Sequence, residues 1–487
     1  MLGGPMSLAA WRVGEVRAAE AALLAQLPAG TLMQRAASGL ANRCAGLLID
    51  RNGGVYGTAV LVLVGAGDNG GDALYAGARL AGRGAAVRAL LLAPDRAHSG
   101  GLAALRRAGG STVDRAPSTV DLVLDGIVGI GGRGGLRPEA VSALAEAVGG
   151  RRRPIVVAVD VPSGVEADTG ATPGEAVTAD VTVTFGCLKP GLVLGVGAVR
   201  AGLLDLVDIG LAPPGAPALH VATGADVTGW WPRPGRESDK YTRGVVGVAT
   251  GSATYPGAAV LSVAGACAGP AGLVRYAGAA ADFVRDRHPS VIATERVAGA
   301  GRVQAWVCGS GLGTDDRAAA ELRTVLASAV PVCLDADALS LLVDGRMAER
   351  LRRDAPTVVT PHDREFARLA GGSPGPDRLE SALGLAAKLN ATVLLKGDHT
   401  IVAGPDGESW VSCTGSSALA TGGTGDVLSG LLGSLLAAGL PPVHAAVAAA
   451  YAHGLAGREA ARGGPVTATD VAAALRPTLA ELLRDHR

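Results

Sequence analysis

The sequence has no net charge and no closely spaced cysteines. Lys and Arg together number 44, as do Asp and Glu, so the chain lacks the positive excess typical of proteins that bind nucleic acid or anionic membranes. The six cysteines lie far apart without a CxxC pair, which argues against a zinc site or a disulfide framework and fits a reducing cytoplasm. We therefore predict no nucleic-acid or membrane partner, and any phosphate must be recognised locally.

Uninterrupted hydrophobic runs are also missing. Two apolar stretches, residues 256–282 and 431–457, contain Pro, Arg, Asp or His, so we predict buried helices rather than membrane spans. The first residues contain no basic region followed by an apolar core, so we expect no secretory signal, and Met6 is an alternative start.

The sequence does contain a regular alternation of short β-rich apolar runs with longer segments rich in Ala, Leu and Arg. This pattern is typical of α/β layers with parallel strands. With 487 residues the chain is too long for one ordinary domain. The pattern breaks near residues 211–228, so we predict one domain at 1–215 and another at 225–487. The predicted strands are Ala59–Val64, Val87–Leu92, Leu122–Leu124, Ile155–Val159 and Val181–Phe185, then Val245–Ala249, Gln304–Val307, Val332–Leu334, Thr357–Val359, Val393–Leu395 and Thr400–Val402.

One glycine-rich turn, Thr421-Gly-Gly-Thr-Gly-Asp426, precedes an apolar helix. Backbone N–H groups at a helix N-terminus bind anions, and glycines let a phosphate approach closely. A carboxylate there would repel phosphate unless it takes a proton from a nearby hydroxyl. The turn therefore predicts phosphoryl transfer involving an alcohol, with Asp426 as the base. The alternative is that Asp426 only complements the helix dipole.

Polar residues follow three predicted strands of the first half. They are Asp68-Asn69-Gly-Gly-Asp72, then Asp125 with the loop Gly129–Gly135, and Asp160-Val-Pro-Ser163. Ligands of open parallel sheets bind outside the carboxyl ends of the strands, so these loops should converge. An acidic site that also contains Arg133 is expected there.

This trio of motifs resembles the NAD(P)H-hydrate epimerase family over about residues 10–210. That family has a Rossmann-like domain that interconverts the R and S epimers of hydrated NADH and NADPH. The resemblance implies a potassium ion held by Asn69, Asp125 and Ser163, and Asp125 is the candidate acid–base residue; oxygen ligands suit such a hard cation. Arg133 stands where some members carry lysine. The residues implied to contact the hydrated dinucleotide are Asp68, Asn69, Gly70, Gly71, Asp72, Gly129, Ile130, Gly131, Gly132, Arg133, Gly134, Gly135 and Asp160.

The second half has its own motifs after predicted strands. Asp335 and Asp337 form an acidic strand end, which is a candidate anchor for Mg²⁺ through water. His362 follows another strand and is a candidate substrate contact. Lys396 stands beside a glycine, an arrangement suited to a nucleotide phosphate.

Residues 229–487 resemble the ADP/ATP-dependent NAD(P)H-hydrate dehydratases, a ribokinase-like branch. These enzymes activate the hydroxyl of the hydrate by phosphoryl transfer and then eliminate it. The resemblance implies that Ala258, Gly311 and His362 contact the hydrated dinucleotide and that Asp426 is the catalytic base. The residues implied to contact ADP or ATP are Lys396, Gly397, Asp398, His399, Thr400 and Gly425. Departures from the family pattern, which concern substrate contacts, occur at Asp239, Asp363–Arg364 and Gly415–Ser417.

The sequence thus predicts an α/β protein with an N-terminal Rossmann-like three-layer domain and a C-terminal ribokinase-like three-layer domain. We expect a cytoplasmic homo-oligomer that is both an isomerase and a lyase and uses K⁺, Mg²⁺ and ADP or ATP. One alternative is a small-molecule kinase, against which the Asp125 and Asp160 loops argue. The other is a non-catalytic scaffold, against which the set of Asn69, Asp125 and Ser163 argues. The preferred nucleotide and the preferred hydrate, of NADH or NADPH, stay open.

Overall fold

The computed structural model describes residues 8–150, 152–343 and 353–485. These residues form two compact units, Ala9–Ala218 and a second unit that begins at Leu219. Each unit is built on its own β-sheet and has its own hydrophobic core.

The first part of the chain alternates strands and helices. Its strands are β1 (Leu8–Ala10), β2 (Ala59–Val64), β3 (Ala86–Leu91), β4 (Ser111–Val113), β5 (Leu122–Gly126), β6 (Ile155–Val159), β7 (Val181–Phe185) and β8 (Leu203–Val207). Its helices are α1 (Val13–Leu24), α2 (Thr31–Asn52), α3 (Asp68–Ala81), α4 (Ser99–Arg107), α5 (Pro138–Val148) and α6 (Gly195–Ala201).

The sheet of the first unit has the order β4-β3-β2-β5-β6-β7-β8, and its pairs are parallel. The chain moves outward from β2 to β4 and then returns to place β5 on the other side of β2. Such a reversal of strand order is where open parallel sheets bind their ligands. The carboxyl ends of β2 and β5, where Val64 pairs with Gly126, therefore mark the expected site.

Alternate residues of β2 face opposite layers. Val60, Val62 and Val64 pack in the cluster that contains residues of α2 and α3, whereas Leu61 and Leu63 pack with residues of α5. A strand covered on both faces needs apolar residues at every position, which explains its continuous apolar run. The first unit is therefore the Rossmann-like three-layer domain that the sequence predicts.

The second part of the chain continues the alternation. Its strands are β9 (Leu219–Val221), β10 (Val245–Ala249), β11 (Leu273–Ala277), β12 (Ile292–Thr294), β13 (Ala305–Cys308), β14 (Val332–Leu334), β15 (Thr357–Val359), β16 (Thr392–Leu395), β17 (Thr400–Ala403) and β18 (Ser409–Ser412). Its helices are α7 (Gly224–Trp230), α8 (Pro256–Ala268), α9 (Ala281–Arg287), α10 (Asp316–Leu326), α11 (Asp337–Val343), α12 (Asp363–Ala370), α13 (Arg378–Leu389), α14 (Thr424–Ala437), α15 (Pro442–Ala460) and α16 (Ala468–Asp485).

The sheet of the second unit runs through β9-β18-β17-β16-β15-β14-β13-β10-β11-β12. Strands β10 to β16 pair in parallel, whereas β17 is antiparallel to both of its neighbours. The carboxyl ends of the parallel strands again share one edge of the sheet. The loops after β10, β13, β14 and β15, which contain most of the predicted motifs, therefore lie along that edge.

Helix α14 lies in the core of the second unit and fixes the position of Asp426 in its first turn. Its residues from Val427 to Ala437 are buried. Helix α8 approaches so closely that a Cβ on Gly430 would lie 1.9 Å from the carbonyl oxygen of Ser262, and one on Gly265 would lie 2.1 Å from that of Val427. Glycine at these positions lets the two backbones touch, and the contact holds the start of α14 in place.

Gly430→Ala is therefore expected to destabilise the protein by about 1–3 kcal/mol, because the added methyl group overlaps a backbone carbonyl. The matched control is Gly384→Ala in α13, where an added Cβ meets nothing within 4 Å. That change should stabilise the helix by about 0.5–1 kcal/mol. Chemical denaturation measures both changes, and equal effects would contradict the close contact between α8 and α14.

Of the two apolar stretches predicted as buried helices, one is confirmed and the other is only partly helical. Residues 431–457 lie in helices α14 and α15, as predicted. The stretch 256–282 is helical to Ala268 and again from Ala281, but Leu273–Ala277 between them forms β11. A short buried strand and a buried helix segment have the same apolar composition, and Pro270 ends the helix between them. Within the described ranges, no helix combines the length and apolar character needed to cross a bilayer.

Candidate active sites

A cavity of about 1190 Å³ opens at the carboxyl ends of the strands of the first unit. Most of the residues implied by the epimerase resemblance line it: Asp68, Asn69, Asp72, Gly129, Ile130, Gly131, Gly132, Arg133, Gly134, Gly135 and Asp160. Gly70, Gly71, Asp125 and Ser163 are not among the lining residues and are buried. A Cβ on Gly70 would lie 2.7 Å from the carbonyl oxygen of Gly65, so glycine is required where α3 begins against the end of β2.

Asp125, at the end of β5, is fully buried together with Ser163. The Ser163 hydroxyl donates to Asp125 Oδ1 at 2.6 Å, and the Ser163 N–H donates to Oδ2 at 2.9 Å. The N–H of Ile127 also donates to Oδ1, at 3.3 Å. Burial raises the pKa of Asp125 to about 6, against the lowering effect of these hydrogen bonds. The carboxylate thus ties the loop after β5 to the loop after β6.

Oxygen atoms suited to a hard cation meet beside this carboxylate. The Ser163 hydroxyl also lies 3.2 Å from the carbonyl oxygen of Val128. A Cβ on Gly129 would lie 2.9 Å from Asn69 Oδ1, so the amide of Asn69 reaches the same loop. The Asn69 Nδ2 is buried without a hydrogen-bond partner among the described residues. Carboxylate, amide, hydroxyl and carbonyl oxygens together fit the predicted potassium ion.

Asp160, which follows β6, is held by a lysine that sequence reasoning missed. Lys189 is only 1% exposed, and its Nζ donates to Asp160 Oδ1 at 2.5 Å, to Thr184 Oγ1 at 2.9 Å and to the Phe185 carbonyl at 3.1 Å. Thr184 Oγ1 donates to the same Asp160 oxygen at 3.1 Å. Lys189 follows the buried strand β7 by four residues. A search for polar residues after buried strands could therefore have identified it from the sequence.

Further charged residues line the cavity. Glu20 in α1 and Glu139 in α5 join Asp68, Asp72 and Asp160 to give five carboxylates. The pKa of Asp72 lies well above its usual range because of burial first and then the charges of Asp160, Asp68 and Glu20. Sequence reasoning missed Glu20, whose pKa burial also raises. The arginines that line the cavity are Arg17, Arg96, Arg133 and Arg137.

A smaller cavity, of about 480 Å³, lies in the second unit. It brings together three predicted residues from distant parts of the chain, namely Ala258 in α8, Gly311 after β13 and Asp426 in α14. Tyr255, the residue before α8, also lines it, with 61% of its surface exposed. A Cβ on Gly311, which has φ +62°, would lie 2.7 Å from the Cβ of Ala258, so these two walls are in close contact.

The electrostatic surroundings of Asp426 suit a base that works near neutral pH. Burial, and then the charge of Asp335, raise the pKa of Asp426 to about 7, while a hydrogen bond from Ser310 acts to lower it. Ser310 is fully buried, and its hydroxyl also lies 3.3 Å from Asp335 Oδ2. The hydroxyl of Ser310 thus connects the two carboxylates.

Lys396 lies in an ion pair with Asp335. Its Nζ is 2.7 Å from Asp335 Oδ1 and 3.7 Å from Glu365 Oε2. Burial disfavours the charged form of Lys396, but the charges of Asp335 and Glu365 outweigh it and raise its pKa. Thr360 and Ser429 also donate to Asp335, at 2.8 and 3.0 Å. The ammonium group of Lys396 therefore already balances the charge of Asp335, which does not favour the Mg²⁺ anchor considered for it.

His362 and the segment after Lys396 are not among the residues that line the smaller cavity. His362 caps α12, and its Nδ1 accepts from the N–H of Arg364 at 3.1 Å. Thr400 donates to the carbonyl of Gly397 at 3.0 Å, which closes the turn between β16 and β17. A Cβ on Gly425 would lie 3.5 Å from Lys396 Nζ, so Lys396 does reach the glycine-rich turn at the start of α14.

Comparisons with known proteins agree with the division of the chain into two units. The family model described as YjeF-related protein N-terminus matches residues 29–191, and the one described as NAD(P)H-hydrate dehydratase matches residues 246–476. The chain is 49% identical over 476 residues to the bifunctional NAD(P)H-hydrate repair enzyme Nnr of Mycobacterium leprae (strain TN), and 98% of each chain is covered.

Two solved structures resemble the second unit. A ribokinase-like superfamily protein from Enterococcus faecalis V583 is 24% identical with a TM-score of 0.50, over 56% of this chain and 99% of that one. An ADP/ATP-dependent NAD(P)H-hydrate dehydratase from Bacillus subtilis, co-crystallised with ATP/Mg²⁺, is 28% identical with a TM-score of 0.47, over 53% of this chain and 97% of that one. The first likeness supports the predicted ribokinase-like fold. The chain belongs to the family of bifunctional NAD(P)H-hydrate repair enzymes, with an epimerase in its first half and an ADP/ATP-dependent dehydratase in its second.

Proposed function

We propose that the larger cavity is the epimerase site and the smaller cavity the dehydratase site. The convergence of Asp72, Asp160 and the glycine loop Gly129–Gly135 in one cavity supports the first assignment. Ala258, Gly311 and Asp426 in the other support the second. Chromatography of the two hydrate epimers tests this division, because R hydrate should turn into S hydrate without nucleotide and only added ADP or ATP should restore reduced nicotinamide.

The glycine loop and the arginines of the larger cavity suit the pyrophosphate of a dinucleotide. Five of the seven residues from Gly129 to Gly135 are glycines, so ligand atoms can approach the backbone closely. Arg17, Arg96, Arg133 and Arg137 supply positive charge, and a guanidinium group can bind phosphate oxygens in pairs. The carboxylates that line the cavity are then available to contact the hydrated nicotinamide ring.

Asn69, Asp125 and Ser163 are proposed to hold the potassium ion. The ion would offset the charge of a carboxylate that is fully buried, and it would fix the loops after β5 and β6 relative to each other. Asp125 would therefore contribute to epimerisation indirectly, by binding the cation and by holding the two loops in place. Direct proton transfer by Asp125, which the sequence predicts, requires a carboxylate that reaches the cavity, and Asp125 does not line it.

In the dehydratase site, Asp426 is proposed to take the proton of the hydrate's hydroxyl as the terminal phosphoryl group of ADP or ATP is transferred to that oxygen. The phosphorylated oxygen then leaves, and loss of a ring proton restores the double bond. The turn from Gly422 to Gly425 offers backbone N–H groups at the start of α14 to phosphate oxygens. Lys396 would supply positive charge beside Gly425, and Mg²⁺ is proposed to accompany the nucleotide.

Ser310→Ala is expected to shift the acid limb of the dehydration rate to higher pH. The hydroxyl of Ser310 stabilises the ionised form of Asp426, so its loss should raise the pKa of Asp426 above about 7, and the base would become active only at higher pH. The control is Ser262→Ala, since Ser262 is buried and its hydroxyl has no partner among the described residues. Identical pH profiles for the Ser310 variant and the wild type would contradict this role.

The two units are also proposed to be independent domains, divided between Ala218 and Leu219. Strand β9 pairs with β18, so a cut at residue 225 would remove a strand of the second sheet. Fragments 1–218 and 219–487 should each be soluble, the first with epimerase activity only and the second with dehydratase activity only. Circular dichroism and the two assays check this; aggregation of both fragments would contradict it.

We also propose that the protein is located in the cytoplasm and forms a homo-oligomer. The six cysteines are free thiols, which fits a reducing compartment. Strand β8 is an edge strand with Leu203, Leu204 and Leu206 exposed, which supports association through this edge. Light scattering of the purified protein gives its mass in solution and decides whether it is an oligomer.

A further inference from the structure

We propose that Asp72 and Asp160 are the two residues that transfer protons during epimerisation, and that Lys189 is the residue that positions Asp160. This assignment concerns only the epimerase site. It is carried by the contacts of the three side chains, by their burial and by the cavity that the two carboxylates share.

The carboxylate of Asp160 is anchored through one oxygen. Oδ1 accepts hydrogen bonds from Lys189, Thr184 and the N–H of Phe185, at 2.5, 3.1 and 3.4 Å. In the described part of the chain, Oδ2 has no hydrogen bond, and Asp160 lines the cavity. An anchored oxygen and an open one on the same carboxylate are what a positioned proton acceptor needs.

The backbone of Asp160 is also in an uncommon conformation. Its φ is +69°, in the left-handed region that residues other than glycine seldom adopt. Such a conformation costs free energy and persists where the surroundings hold it in place, often at functional sites. In this conformation the side chain of Asp160 contacts Lys189.

Lys189 has no task in the cavity other than to hold Asp160. It is 1% exposed and does not line the cavity. A buried ammonium group is stable only when it is paired, and its three partners are Asp160, Thr184 and Phe185. Lys189 thus places a positive charge directly against Asp160 Oδ1.

Asp72 has the opposite surroundings. Its Oδ1 is buried and has no hydrogen-bond partner among the described residues, although the carboxyl group lines the cavity. Burial and the charges of Asp160, Asp68 and Glu20 raise its pKa well above the usual range. A carboxyl group that binds a proton more readily than usual and has no protein partner can give that proton to a bound ligand. Two carboxyl groups with such different surroundings, one against a cation and one without a hydrogen-bond partner among the described residues, can serve as base and acid in one site.

The chemistry of the hydrate fits this pair. Water adds to an enamine at the carbon next to nitrogen, so the hydroxyl and the ring nitrogen share one carbon. Asp72 would give its proton to the hydroxyl, the C–O bond would break with its electron pair staying on the departing water, and the nitrogen lone pair would form a C=N bond. The resulting cation lies among carboxylates, which stabilise positive charge.

Inversion is completed when water adds to the other face of the ring. The new C–O bond forms as the C=N pair returns to nitrogen, and Asp160 takes the proton of the incoming water. One proton has then moved from Asp72 to Asp160, and exchange with solvent or turnover in the reverse direction restores the starting state. The step needs no oxidant and no further reactant.

The test uses the full-length protein with the variants Asp72→Asn, Asp160→Asn and Lys189→Met. Asparagine has the shape of aspartate and tolerates the left-handed conformation, so the backbone at 160 should be kept. Epimerisation of R hydrate without nucleotide should fall about 10²–10⁴-fold in both Asn variants. The dehydration of S hydrate with nucleotide, measured on the same preparations, should stay at the wild-type rate.

Lys189→Met needs a readout that distinguishes positioning from loss of structure. Without its ammonium group, Asp160 Oδ1 loses its shortest hydrogen bond and keeps only those from Thr184 and the N–H of Phe185. The kcat of epimerisation should therefore fall while the KM for R hydrate stays close to that of the wild type. The double variant Asp160→Asn, Lys189→Met removes both charges, should fold, and should be no slower than Asp160→Asn alone.

Thr182→Val is the matched control, because Thr182 is buried on β7 and its hydroxyl donates to the Ala201 carbonyl, outside this cavity. Turnover of wild type in H₂¹⁸O should place ¹⁸O in the hydroxyl at the rate of inversion. Wild-type rates in either Asn variant, or inversion without ¹⁸O, would overturn the proposal. Absence of epimerisation in the wild type would instead contradict the activity itself.

Discussion

Asp426→Asn is expected to reduce nucleotide-dependent dehydration of S hydrate about 10²–10⁴-fold. The variant keeps the shape of the side chain but cannot accept the proton of the hydroxyl. Asp426 lines the smaller cavity, and its pKa of about 7 lets it accept a proton near neutral pH. Nucleotide affinity should stay close to wild type, because the proposed phosphate contacts are the N–H groups of the turn and Lys396.

Steady-state kinetics and calorimetry together test this prediction. Asp282→Asn is a suitable control, since its side chain is 94% exposed in the same unit. Retention of at least a tenth of the wild-type rate would contradict the role of base. A large loss of nucleotide affinity would show instead that Asp426 binds the nucleotide or its metal ion.

Asp125→Ala should stop epimerisation and leave the initial dehydration rate normal. The change removes the proposed cation ligand and leaves the buried N–H and hydroxyl of Ser163 and the N–H of Ile127 without their acceptor. On a mixed pool of hydrates, the variant should convert only the S fraction and then proceed at the slow rate of spontaneous epimerisation. The wild type should consume both epimers.

The absorbance of reduced nicotinamide follows this reaction directly. Asp125→Asn keeps the volume of the side chain and guards against a folding defect, and the exposed Asp208→Ala serves as a control in the same unit. If Asp125 holds potassium, the Asn variant should need a higher potassium concentration for the activity it retains. Consumption of R hydrate at the wild-type rate would exclude any role in epimerisation.

Much of the two sheets could be predicted because their parallel strands are rich in apolar and β-branched residues. β2, β6, β7, β10, β14 and β15 have the predicted bounds, since parallel strands covered on both faces favour such residues at successive positions. β8 and β18 were not predicted. The first, Leu203-Leu-Asp-Leu-Val207, contains an aspartate, and the second, Ser409-Trp-Val-Ser412, has only two apolar residues. Their position is set by the neighbouring strand rather than by their own composition.

The candidate sites were predictable where a polar residue follows a buried strand, as at Asp160 and Asp335. The partners of these residues were not, because nothing in the local sequence tells which distant charge will meet them. Lys189 pairs with Asp160 across 29 residues, and Lys396 pairs with Asp335 across 61. Glu20 comes from a helix of the N-terminal region and reaches the cavity only through packing.

The central claim is that one chain restores reduced nicotinamide from both epimers of the hydrate. The most direct measurement starts from purified R hydrate of NADH and follows the absorbance of reduced nicotinamide. We expect no recovery with the protein alone, and complete recovery once ADP or ATP is added, at a rate far above that of spontaneous epimerisation. No recovery with either nucleotide, or recovery from R hydrate only at the spontaneous rate, would contradict the account.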